Sequence, residues 1–205
     1  MPSRKAARRP PHDEAPQGPP EIAIVGDLTE TESAIVEKLL EVERGAPCTL
    51  YFDSDGGSAY VGLALMSLIR YRRLQATGIV VGTCSSAALW PFAACQRRLV
   101  FPHSVLLFHP MKWQSGENVD LSEATEWARH FADLERDMDD LLAALFGVGR
   151  EQIDRWNRPG RHLTGREFAA TGLAQLVDLL DPRRPIPSSP PATPASRERP
   201  RAGRT

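Results

Sequence analysis

Between residues 21 and 181, short continuous apolar runs alternate with stretches whose apolar positions recur every three or four residues. EIAIV (21–25), CTLYFD (48–53) and GIVVG (78–82) have the first pattern, that of strands buried on both faces. Helical spacing follows each. It covers about 30–43, with Ile35, Val36, Leu39 and Leu40 on one face, then 58–73, with Val61, Ala64, Leu65, Leu68 and Ile69 inward, then 86–95. Two further short strands, RLVF (98–101) and VLLFH (105–109), flank Pro102. This β–α–β alternation predicts an α/β fold, a mostly parallel sheet with covering helices.

Residues 121–146 break the alternation. Leu121, Ala124, Trp127, Phe131, Leu134, Met138, Leu141 and Leu145 mark one face of a single helix of about 26 residues, capped by Asp120 with Glu123 three places on. The usual helix has ~11–12 residues. A helix this long either packs along its own core or reaches another subunit. A second capping box, Thr164 to Glu167, opens a short helix that Gly172 stops, and a strand at 174–179 closes the domain.

Composition narrows the picture. Six of the eighteen prolines fall in 1–20 and seven in 182–205, so both ends are expected to be disordered tails around one domain, 21–181. The formal net charge is −1, but the tails are basic and the remaining body is acidic, which disfavours nucleic acid as a partner. Cys48, Cys84 and Cys95 form no CxxC pair, and the five histidines form no HExxH, so no metal site or cofactor is expected. The early arginines are not followed by an apolar stretch, and no run approaches the ~20 apolar residues of a membrane span. A cytoplasmic, reducing setting is the expectation.

Three stretches carry candidate chemistry. Ser54-Asp55-Gly56-Gly57 ends a strand and precedes a helix, and glycines there let bare N–H groups approach a ligand. Ser85-Ser86 lies where a buried strand breaks into a helix, beside free N–H groups and a dipole that favours a developing anion. His109 ends the VLLFH strand and could take a serine's proton. Taken singly, either serine could be an ordinary helix cap and His109 a hydrogen-bonded strand end. Together they are the parts of an acyl-transfer site.

In order, spacing and local structure these motifs resemble the Clp protease proteolytic subunits and, more broadly, the ClpP/crotonase superfamily. SDGGS stands for that family's SPGGS, GTCSS for its GQAAS elbow, and LFHP for its IHQP strand end. The resemblance spans about Glu21 to Asp181. It implies the ClpP/crotonase-like α/β fold of repeated ββα units, with 121–146 as the oligomerisation (handle) helix. It selects Ser86 over Ser85 as nucleophile, with His109 as base, Gly57 and Ala87 as oxyanion hole, and Gly56 and Trp113 toward substrate, although Trp113 fits a subunit contact equally well. It further implies peptide or unfolded-protein substrates and a homo-oligomeric ring, a heptamer or double heptamer.

The chain also departs from the family pattern. Counting back from Leu163-Thr164, the position of the usual triad aspartate holds Gly160, leaving Asn157 or Asp154 as candidate orienters of the histidine. Asp55 replaces a proline, and its carboxylate would repel an oxyanion unless turned away or protonated. Pro110 directly follows His109, where the family has an intervening glutamine. The family's ATPase-docking N-terminal segment has no counterpart, which puts a Clp-type ATPase partner in doubt. Two other functions follow from these departures: a weakly active or inactive ring subunit supporting a ClpP-like paralogue, and, more remotely, a crotonase-type acyl-CoA enzyme.

Overall fold

A computed structural model describes residues 18–114 and 118–181. The tails expected at 1–20 and 182–205 fall almost wholly outside the described residues. The elements run β1 (Glu21–Asp27), α1 (Leu28–Glu41), β2 (Pro47–Gly56), α2 (Ala59–Tyr71), β3 (Gln75–Ser85), a 3-10 turn (Ser86–Ala88), α3 (Leu89–Ala94), β4 (Arg97–Val100), β5 (Val105–Phe108), α4 (Leu121–Phe146), α5 (Arg150–Asn157), β6 (Arg161–Thr164), α6 (Gly165–Ala170) and β7 (Gln175–Leu176).

The expected α/β architecture is found. The path β1-β2-β3-β4-β7 is parallel throughout. Strand β3 is long enough to serve two neighbours: residues 77–80 pair with β4, and residues 83–85 pair with β5. Between these halves its register against β2 slips, because Phe52 faces Val80 while Ser54 faces Cys84. The Asp53 carboxylate fills the slip by accepting the Thr83 N–H at 3.0 Å. Strands β1 and β2 are irregular at the same level. Bulges at strand ends bend the chain and re-aim its side chains. Here they lie just ahead of the point where the Gly56 backbone comes close to Ser86.

Two elements had no clear mark in the sequence. REQIDRWN forms α5 although only Ile153 and Trp156 are apolar, and both are buried. Arg161–Thr164 forms β6, antiparallel to β5, with Leu163 as its one buried residue. Conversely, the closing strand expected at 174–179 shortens to Gln175–Leu176, extended by one bond from the Val177 N–H to the Val100 carbonyl.

Helix α4 covers the predicted 121–146 and ends on Gly147 in the left-handed conformation. Its two halves differ. Met138, Leu142, Ala143 and Phe146 are buried, while Leu121 is 85% exposed and Trp127 40%. Beneath the carboxyl half, Phe108, Phe146, Trp156 and Phe168 form an aromatic cluster with ring centroids 4.8–6.5 Å apart. Among the described residues no helix is long and apolar enough to cross a membrane.

Candidate active site

The bulged ends of β2 and β3 build one wall of the site. Ser54 is buried. Its hydroxyl donates to the Gly26 carbonyl at 2.5 Å and accepts the Gly56 N–H at 3.1 Å, which pins the turn. Gly56 and Gly57 then have φ of 102° and 143°. A Cβ on Gly56 would lie 2.7 Å from the Ser86 Cβ and 3.0 Å from the Ala87 nitrogen. A Cβ on Gly57 would lie 2.6 Å from an Asp27 carboxylate oxygen. The glycine pair is therefore a requirement of close approach, with Gly56 packed behind the serine and Gly57 facing the cavity.

The second wall is the break after β3. Ser86 has φ 53°, a left-handed conformation that L residues other than glycine adopt at a cost of order 1–3 kcal/mol. This strain sets it apart from an ordinary helix cap. Ser85 is the residue flanking the 3-10 turn, and it is buried without a capping bond. The two serines are thus separated by environment: Ser86 lines the cavity, and Ser85 lies beneath it. Helix α2 braces the turn from outside, because a Cβ on Gly62 would come within 2.5 Å of the Ala87 carbonyl oxygen. Cys84, two residues upstream, is not a rival nucleophile: burial, followed by the neighbouring Cys95, pushes its thiol well above the ordinary range.

Ser86, Ala87, Gly57 and His109 line a single cavity of about 160 Å³. Its other walls are Ala59, Leu89, Trp90, Met111 and Met138, with Lys112, Glu135 and Asp139 as charged members. Trp90 is fixed by an indole N–H bond to the Met138 carbonyl at 3.0 Å. Four sequence-predicted site residues thus meet in one place. Trp113 does not join them. It stacks on Trp127 at 5.7 Å and lies tilted against Phe131 at 5.6 Å, along the outer half of α4. Asp55 is exposed and turned away, accepting from the Thr83 hydroxyl at 3.4 Å, so no carboxylate of β2 faces the cavity.

His109 stands just past the end of β5. Its Nδ1 lies 2.6 Å from the Pro110 carbonyl oxygen. A carbonyl can only accept, so Nδ1 carries a proton, and in the neutral ring it is Nε2 that keeps the lone pair. That is the tautomer a base needs. Gly160 lies against this histidine: a Cβ there would be 3.5 Å from the His109 Cβ. The backward count therefore finds the right neighbourhood, but φ at Gly160 is 122°, a conformation unsuited to aspartate. The two candidate orienters are bonded elsewhere. Asn157 is buried and donates to Asp139 at 2.6 Å. Asp154 accepts from both Arg150 and Arg158.

Asp139 had no mark of function in the sequence. It is one polar residue on a helical face otherwise read from its apolar spacing. Its side chain is 4% exposed and is held by Arg150 at 3.0 Å and by Asn157. Burial pushes its carboxyl up to about 6, against the opposing pull of Arg150 and Arg158. Glu135, one turn earlier on α4, accepts the Met111 N–H at 3.0 Å. Among the described residues no group of three or more His, Cys, Asp or Glu is placed to hold a metal ion.

Comparison with known proteins identifies the family. Residues 21–178 match the family model described as Clp protease. The chain is 27% identical over 162 residues to the ATP-dependent Clp protease proteolytic subunit of Pleurastrum terricola, covering 76% of this chain and 82% of that one. It is 26% identical over 137 residues to the subunit of the same name from Chlorella vulgaris, covering 66% and 67%. With its sheet, elbow and glycine turn in place, this chain belongs to the Clp protease family.

Proposed function

We propose that this protein is a serine peptidase that cleaves peptide bonds through an acyl-enzyme on Ser86. One observation carries the reading: the elbow serine, the strand-end histidine and the two backbone donors line the same small cavity. Nε2 of His109 takes the Ser86 proton as Oγ attacks the scissile carbonyl. The N–H groups of Gly57 and Ala87 receive the oxyanion, and loss of one such donor typically costs ~10²–10³ in rate. The imidazolium returns the proton to the leaving amine. Water then repeats the sequence and frees the acid. The Pro110 carbonyl supplies the orienting contact usually assigned to a carboxylate.

Membership of the family supports peptides or unfolded segments as substrates, and a ring assembled through α4. The exposed Leu121 and Trp127 on its outer half fit a partner subunit. A cytoplasmic setting belongs to the same proposal. A second reading is favoured by Gly160: a ring subunit with little activity of its own, working beside a ClpP-like paralogue. A fluorophosphonate probe separates the two. Covalent labelling of wild type and none of Ser86→Ala supports the peptidase. Equal labelling of both, or of neither, removes it.

A further inference from the structure

We propose that Glu135, on α4, is the positioning residue for His109, acting through the peptide group between Pro110 and Met111. The proposal rests on the Ser86–His109 reading above. Its basis is that two hydrogen bonds meet on one peptide plane. The carbonyl of that plane accepts from His109 Nδ1 at 2.6 Å, and its N–H donates to Glu135 Oε1 at 3.0 Å. A trans peptide is rigid and points its C=O and N–H in opposite directions. A carboxylate that fixes the N–H therefore fixes the carbonyl as well. Charge-assisted bonds are the stronger kind, and bonds in series polarise one another. The negative charge of Glu135 is thus carried to the imidazole through one peptide unit, in place of a carboxylate in direct contact.

Local structure adds to the argument. Residues 109–114 have left the sheet, so their backbone is not held by strand pairing. Glu135 lies on the part of α4 where the helix begins to bury itself, with Met138 and Asp139 on the following turn. Its other oxygen faces Arg158 at 3.8 Å, and Arg158 also pairs with Asp154, which ties the segment before Gly160 to the same helix. Pro110 suits this role because its ring fixes φ and it lacks an N–H that would compete for the carboxylate.

The test compares Glu135→Ala, Glu135→Gln and Arg158→Ala, each checked for the wild-type assembly state. The first readout is the rate at which a fluorophosphonate labels Ser86. The second is the ring-proton NMR signal of His109 in protein with nitrogen-15-labelled histidine. Glu135→Ala is expected to slow labelling about 10- to 100-fold, by analogy with the loss of an outer hydrogen-bond partner of a metal-ligating histidine, and to lose the Nδ1–H signal. Glu135→Gln keeps an acceptor oxygen and restores most of the rate and the signal. Arg158→Ala leaves the Glu135–Met111 bond in place and stays within about threefold of wild type, as for a long, half-exposed ion pair of 3.8 Å. An unchanged Nδ1–H signal in Glu135→Ala overturns the proposal. So does a loss in Arg158→Ala as large as that in Glu135→Ala. A wild type that shows the signal but never labels at Ser86 instead sinks the peptidase reading and leaves the positioning intact.

Discussion

The two sides of the cavity are built by different means. The Ser86 side is a matter of backbone: bulged strands, a glycine pair and a serine held in a left-handed turn. The glycine pair is what this geometry demands, because a Cβ on either would lie under 3 Å from a neighbouring atom. The His109 side rests on side chains and one peptide plane. Gly160, just ahead of β6, lies against His109, and the ring's Nδ1 meets a main-chain oxygen. A close-packed turn tolerates few solutions. An orienting hydrogen bond can be supplied by any acceptor in reach, so that side is free to change.

Substitutions should separate the two sides, and the largest losses belong to the reacting groups. Ser86→Ala and His109→Ala should each remove peptide hydrolysis by about 10⁴-fold or more, as when one member of a catalytic unit is deleted. The check is turnover of a fluorogenic peptide with the melting temperature unchanged. Next comes the turn that supports them. Gly56→Ala forces a Cβ to 2.7 Å from the Ser86 Cβ at a φ of 102°. It should cost about 10²- to 10³-fold in kcat through the displaced donors, with about 1–3 kcal/mol of stability from strain, read by kinetics and urea unfolding.

Asp139 gives an effect in pH. Its carboxyl is raised to about 6 in the folded protein, above its ordinary unfolded value. Protonation therefore favours the folded state. The stability gained from this group is complete below about pH 4, and it is lost as pH climbs through about 6, by at most about 3 kcal/mol. Melting temperatures from pH 4 to 7 should fall more for wild type than for Asp139→Asn. Parallel curves would contradict the account. The smallest effect belongs to Asp154, whose side chain is 41% exposed in its pairs with Arg150 and Arg158. Asp154→Ala should change stability by less than about 1 kcal/mol and leave peptide turnover nearly unchanged. A large loss of turnover would restore it as a candidate orienter.

The difference between the two sides also decides what could be read from the chain. Strands β1 to β5 and helix α4 announce themselves through apolar spacing, and the glycine pair through its place at a strand end. Strand ends likewise mark where Ser86 and His109 emerge into one cavity, while the preference for Ser86 over Ser85 comes from the family resemblance alone. Helix α5 and strand β6 are not, since each buries only one or two apolar residues and their polar letters fit a loop as well. The Pro110 carbonyl is invisible in principle: every residue carries one. Its only trace is the proline set directly after the histidine. Asp55 looked hostile to an oxyanion until strand alternation turned it outward to Thr83.

The central claim concerns which hydroxyl reacts and what activates it. Fluorophosphonate-treated protein, digested and sequenced by mass spectrometry, tests it most directly. The account predicts one adduct, on the peptide containing Ser85 and Ser86, fragmenting to Ser86 and absent from His109→Ala. An adduct on Ser85, or one on Ser86 that forms equally fast without His109, would contradict it.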